Sequence, residues 1–238
     1  MTPLAGLRVK LFADGADLPD MLAMYGRSDI RGFTTNPTLM RKAGVTDYRQ
    51  FASEVLAAIP DRPISFEVLS DDFCEMEAQA LTMSTWSPCV YVKIPISDTS
   101  GAPSAELIHR LSHAGVKVNV TAVLTLDQVR EAADALRGGA PSNVSVFAGR
   151  IADTGRDPIP MMADAVAVLA SVPHAELIWA SPRELLNVFQ ADAVGCHIIT
   201  LTPDILRKLD LVGRDLREVS LDTVRMFRAD AIRAGLSL

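Results

Sequence analysis

Eight short runs rich in β-branched and apolar residues recur along this chain, each followed by a helical stretch, at a spacing of roughly 20–30 residues. The runs are Val9 to Asp14, Ile30 to Thr35, Ile64 to Leu69, Cys89 to Pro95, Val116 to Thr121, Asn143 to Phe147, Ala175 to Ala180 and His197 to Leu201. Between them the apolar period becomes helical: Leu18 to Tyr25, a segment from Thr38 that breaks near Gly44, then Tyr48 to Ile59. Further helices are expected after a cap at Asp71 or Asp72 to about Thr85, then over Pro103 to Ala114, Leu126 to Leu136, Ile159 to Leu169, Arg183 to Phe189 and Asp204 to Leu209. Strands alternating with helices predict a parallel sheet, and eight such units predict one α/β domain over residues 1–238, a (β/α)8 TIM barrel. An open doubly wound sheet would carry a glycine-rich phosphate loop after its first strand; here that strand ends Asp14-Gly15-Ala16-Asp17. Residues 221–236 predict an additional carboxy-terminal helix. Its face of Leu221, Val224, Phe227 and Ala231 calls for cover from the barrel or from a neighbouring subunit, and so points to a homo-oligomer.

With 49% apolar and 22% charged residues the chain can bury a large core and stay soluble. A net charge of −6 argues against a nucleic-acid or anionic-membrane partner. No apolar run reaches the ~18 residues that span a bilayer, and the first residues, Met1 to Arg8, lack a leader's basic and apolar segments. The expected compartment is the cytoplasm. Three cysteines, Cys74, Cys89 and Cys196, without a Cys-x-x-Cys spacing predict neither a disulfide framework nor a zinc site. No cofactor is expected. The single metal-like pair, His109 and His113, has no third ligand and lies on a helix away from the strand ends, so no metal is expected either.

Active sites on this fold sit at the carboxy-terminal ends of the strands, and alternate residues face opposite sides. In the third to sixth runs the apolar alternates (Phe66, Val92, Val120 and Val144 among them) face the helices. The polar alternates are left inside. Near the barrel top this gathers Asp14, Asn36, Glu67, Lys93, Thr121, Ser145 and Phe147. Of the five lysines, only Lys93 combines inward parity with a strand's carboxy-terminal end. A buried ammonium is costly, and a neutral amine in a dry pocket can attack a carbonyl to form a Schiff base. Taken alone, the stretch reads first as a lysine that snorkels out or pairs with a carboxylate, and the rest of the chain turns the reading toward the nucleophile. Arg150 after the sixth run and Arg183 after the seventh would bring guanidinium groups to the same end. Ser181 reads as a helix N-cap and Pro182 as the first helical residue, a setting suited to an anion.

Several of these residues stand in motifs: Leu11-Phe-Ala-Asp14, Thr34-Thr-Asn-Pro-Thr38, Phe66-Glu-Val68, Val92-Lys-Ile-Pro95, Asn119-Val-Thr121, Ser145-Val-Phe-Ala-Gly-Arg150 and Ala180-Ser-Pro-Arg183. In kind and order these resemble the transaldolase family, including its short members similar to fructose-6-phosphate aldolase. The resemblance runs from about residue 9 to residue 210. It implies that Lys93 forms the Schiff base with a ketose phosphate. It implies that Asp14 takes the C4 hydroxyl proton and that Glu67, with Thr121, holds a water for proton transfer. Thr35, Asn36, Ser145 and Phe147 would contact the sugar, with Asn36 and Ser145 at its dihydroxyacetone end, and Arg150, Ser181 and Arg183 the phosphate. Aldolases among the short members typically carry Tyr and Gln where this chain has Phe147 and Glu67, which places it on the transferase side. Gly15 stands where Thr is usual, Pro182 is unusual, and the loop from Ile151 to Pro160 is individual. A lyase releasing dihydroxyacetone, and a transaldolase acting on a sulfonated sugar, remain the alternatives to transfer between sugar phosphates.

Overall fold

All eight strands form, and they close into one parallel barrel in chain order. The computed structural model describes residues 6–236; residues 1–5, read above for a leader, and residues 237–238 lie outside the described residues. The strands are β1 (Lys10–Asp14), β2 (Ile30–Thr34), β3 (Ile64–Glu67), β4 (Val90–Pro95), β5 (Val118–Val123), β6 (Ser142–Val146), β7 (Ala175–Trp179) and β8 (Ile198–Leu201). The helices are α1 (Leu18–Tyr25), α2 (Pro37–Lys42), α3 (Tyr48–Ala58), α4 (Phe73–Ser84), α5 (Ala105–His113), α6 (Leu126–Leu136), α7 (Ala148–Asp153), α8 (Ile159–Leu169), α9 (Leu186–Ala193), α10 (Pro203–Leu206) and α11 (Leu216–Arg233).

Helix starts follow local chemistry. Asp17, Asn36, Asp47 and Asp72 each accept a backbone N–H from the first turn of α1, α2, α3 and α4. Thr125 and Gln128 form a reciprocal capping box on α6. Between barrel and helices lies the main core, where Phe66, Val92, Ile94, Val120 and Val144 are fully buried. Truncating a residue such as Ile94 to alanine costs roughly 2–5 kcal/mol, transfer and cavity terms together.

The barrel interior is divided. On β3 to β6 the inward residues are polar, as the alternation predicts. On β1, β7 and β8 apolar side chains fill the middle: Phe12, Ile178, Ala180 and Ile198 form a separate buried cluster with Phe147 packed against it. Gly32 makes room for that plug, since a Cβ there would lie 2.5 Å from the Phe12 ring. The polar groups of β3 to β6 and this apolar plug thus share the barrel interior.

Two expectations change. α7 occupies part of the stretch read as a loop. The helix after β7 begins at Leu186, so Ser181 is no N-cap and Pro182 no first helical residue. Ser181 instead has φ = 56°, in the left-handed region, and the Asn187 side chain accepts the backbone N–H groups of Arg183 and Glu184. No residue of α11 is buried, and Leu221, Val224 and Phe227 are 48%, 59% and 64% exposed. The barrel does not provide the cover its apolar face calls for. No helix among the described residues is long and apolar enough to cross a membrane.

Candidate active site

Glu67 and Lys93 are direct register partners across β3 and β4, both at carboxy-terminal strand ends. The Lys93 side chain is nearly buried, and its Nζ donates to Glu67 Oε2 at 2.8 Å and to the Thr35 carbonyl at 2.9 Å. A tyrosine from α3 fixes this carboxylate's backbone. The Tyr48 hydroxyl donates to the Glu67 carbonyl (2.9 Å) and accepts the Glu67 N–H (2.8 Å). On this side β2 pairs β3 only through Ile64 and Ser65, so the phenol takes the place of the missing strand neighbour.

Both amine and carboxylate line a cavity of about 540 Å3 at the barrel top. Asp14, Asn36, Thr121, Ser145, Phe147, Arg150, Ser181 and Arg183 line it too, so the structure gathers ten of the eleven residues singled out in the sequence. The exception is Thr35. It is fully buried, and its hydroxyl donates to the Ser65 carbonyl rather than facing the cavity. Thr34, which shares the inward parity of Gly32, lines the cavity instead. Its hydroxyl donates to Asp14 Oδ1 at 2.7 Å. Sequence reasoning also passed over Thr200 and Lys42, which line the same cavity. Lys42 comes from the end of the short helix α2, outside the strands whose alternation marks the other lining residues.

Asp14 is shaped mainly by burial, which pushes its carboxyl above the usual range; Lys93 and the Thr34 hydroxyl pull it back, and Glu67 adds to the rise. Ser145 Oγ donates to Asn119 Oδ1 (2.7 Å), and Asn119 Nδ2 donates to Ser65 Oγ (3.0 Å). This buried chain across β6, β5 and β3 holds Ser145 in place. Asn36 spends its side-chain oxygen on the α2 N-cap, leaving its NH2 for the cavity. Thr121 Oγ1 is buried with no partner in the protein, a hydroxyl placed to hold a water or a substrate oxygen. The register between β5 and β6 breaks just after it, at Ala122, whose φ is 60°. Ala122 and Ser181 are the two described non-glycine residues with left-handed backbone, and each adjoins a cavity residue or is one.

The anion end is built on a close approach. A Cβ on Gly149 would fall 1.6 Å from the Ser181 carbonyl oxygen, so only glycine lets α7 meet the turn after β7. That contact brings α7, which carries Arg150, against the turn that carries Arg183, and both arginines line the cavity. The Arg150 guanidinium lies 5.2 Å above the Phe147 ring. Arg183 pairs side-on with Asp153 of α7 through Nε and Nη2. A guanidinium has a second two-pronged edge, and that edge stays available to an anion.

Elsewhere, a cavity of about 420 Å3 at the amino-terminal strand ends is lined by Arg49, Trp86 and Pro88 among others and has no carboxylate. His109 and His113 stack on α5 and hydrogen-bond to backbone carbonyls; no cluster of three metal-ligating side chains occurs among the described residues.

Comparison with known proteins points to one family. Residues 11–237 match the sequence profile of the family described as transaldolase/fructose-6-phosphate aldolase. A probable transaldolase of Dehalococcoides mccartyi is 32% identical over 202 residues, covering 84% of this chain and 90% of that one. A probable transaldolase of Pelotomaculum thermopropionicum is 34% identical over 216 residues, covering 90% and 94%. Among solved structures, a native KDPGal structure aligns with a TM-score of 0.53 at 15% identity, covering 99% of this chain and 100% of that one. Mandelate oxidase with benzoyl-formic acid aligns at 0.57 and 14% identity, covering 92% and 78%. At such identities these two speak to the fold alone.

Proposed function

The chain belongs to the transaldolase/fructose-6-phosphate aldolase family, and from that premise we propose that it transfers a dihydroxyacetone unit from a ketose phosphate to an aldose phosphate through a Schiff base on Lys93. The observation that carries the reading is the nearly buried Lys93 amine at a strand end, 2.8 Å from the Glu67 carboxylate.

In this reading the Lys93 ammonium gives a proton to Glu67, and the free amine attacks the ketose C2 carbonyl. The carbinolamine loses its oxygen as water, with Glu67 and a water held by Thr121 carrying the protons. Asp14 then takes the C4 hydroxyl proton as the C3–C4 bond breaks. The bond's electrons enter the imine, leaving an enamine on Lys93 and releasing an aldose phosphate. An acceptor aldehyde is attacked by the enamine carbon, its oxygen recovers the proton from Asp14, and hydrolysis frees the new ketose. A carboxyl raised by burial suits a base that must return its proton. Asn36 and Ser145 hold the dihydroxyacetone end; Arg150, Ser181 and Arg183 hold the phosphate.

Transfer is favoured over release by Phe147. Its ring packs on the apolar plug and offers no hydroxyl to protonate the enamine or order a water. The test compares turnover of a ketose phosphate with and without an aldose phosphate acceptor. Slow turnover alone, and a rise in free dihydroxyacetone in Phe147→Tyr, are expected. Equal wild-type release with and without acceptor would make the enzyme a lyase.

The exposed apolar face of α11 supports a homo-oligomer in which a second copy covers Leu221, Val224 and Phe227. Light scattering of the wild type and of Phe227→Glu tests this: a monomeric wild type would exclude it.

A further inference from the structure

Asp14, Thr34 and Thr200 come from β1, β2 and β8, which become neighbours only where the barrel closes. Thr34 Oγ1 lies 2.7 Å from Asp14 Oδ1 and 2.5 Å from Thr200 Oγ1. Both threonines are buried, and all three residues line the cavity. The proton order in this chain follows from the carboxylate. An ionised carboxylate only accepts, so Thr34 donates its single hydroxyl proton to Asp14. Thr34 must then accept from Thr200. Oδ1 thereby carries the relay's hydrogen bond, and Oδ2, which accepts none from the described residues, is the oxygen open to a substrate hydroxyl.

We propose that Thr200 is a positioning residue for Asp14, acting through Thr34 to favour the ionised carboxylate and to reserve Oδ2 as the base. A proton taken at Oδ2 leaves the order of the relay unchanged. Asp14 can therefore accept a proton in bond cleavage and return it to the acceptor without either hydroxyl turning. Hydrogen bonds in such a chain polarise one another, so the outer hydroxyl strengthens the inner bond. The proposal rests on reading Asp14 as the base of the reaction.

The charged groups facing Asp14 are Lys93 from β4 and Glu67 from β3, with Lys42, Arg150 and Arg183 at the cavity rim. None is altered by changes at Thr200. The test uses substrate-free protein carrying 13C-labelled aspartate carboxyls, with the Asp14 signal assigned from Asp14→Asn. In Thr200→Val, which keeps shape and removes the hydroxyl, the Asp14 titration midpoint should move to higher pH. Thr200→Ser should restore it, and Thr34→Val, which removes the direct donor, should move it further. On the acid side of the wild-type midpoint, kcat of Thr200→Val should fall by roughly tenfold. The Lys93 borohydride adduct should still form in that variant. An unchanged midpoint in Thr200→Val and Thr34→Val, or equal shifts in Thr200→Val and Thr200→Ser, would overturn the relay. Absence of any adduct in the wild type would instead remove the Schiff-base reading, while the titration would still decide the relay.

Discussion

Lys93 Nζ and Glu67 Oε2 lie 2.8 Å apart because their residues are register partners on neighbouring parallel strands. Each strand is held by apolar neighbours buried against the helices, so the pair is placed by the core rather than by loops. The Glu67 backbone is held from behind by the Tyr48 hydroxyl.

Tyr48→Phe should expose the importance of that support. The change deletes one hydroxyl and leaves the Glu67 N–H and carbonyl without their partner, a cost of roughly 1–3 kcal/mol for a buried polar group. Thermal unfolding should show this loss. Imine formation, measured as the rate of borohydride-trappable adduct, should slow several-fold, while substrate affinity changes little. Unaltered stability and adduct rate would mean that the phenol merely fills space.

Asp14 gives a pH-dependent prediction with a definite sign. Its folded carboxyl titrates above the ordinary aspartate value, chiefly through burial. The native state thus holds this proton more tightly than the unfolded chain, so its contribution to stability is present at low pH and lost as pH rises through the folded midpoint. Asp14→Asn removes that penalty and keeps an oxygen to accept from Thr34. The variant should be more stable than wild type at neutral pH, with the gap closing below about pH 3, and should lose carbon–carbon bond cleavage. A stability gap independent of pH would contradict the assignment.

Arg150→Ala and Arg183→Ala address the anion end. Half of the Arg183 side chain is exposed, so solvent screens it, and each change should lower kcat/KM for a ketose phosphate by roughly tenfold rather than abolish activity. Free dihydroxyacetone, which lacks the phosphate, should be used as before. Equal losses on both compounds would show that the arginines shape the barrel instead.

The architecture was legible because most strands carry β-branched residues and most helices an apolar period, several with a capping side chain; Leu18 to Tyr25, Leu126 to Leu136 and Ile159 to Leu169 match residue for residue. The inward set on β3 to β6 followed from alternation alone. What stayed hidden depends on tertiary contacts or on backbone that departs from regular geometry. α7 opens with Ala148-Gly149, a weak start that only the contact with Ser181 explains. Ser-Pro-Arg reads locally as a cap, yet Asn187 takes the backbone donors first. Thr34 could have been told from Thr35 by counting two from Gly32; following the motif instead of the parity missed it. Thr200 sits in an apolar run where no alternation marks it, and Tyr48 lies 19 positions from the residue it holds.

The central claim is a covalent bond, and mass spectrometry tests it most directly. Incubation with a ketose phosphate and borohydride, followed by peptide mapping, should place one reduced sugar-derived adduct on Lys93. Lys93→Met should show none and should lose turnover while keeping the fold, since methionine fills a similar volume with an apolar chain. An adduct on Lys10 or Lys117, no adduct at all, or full activity in Lys93→Met would contradict the account.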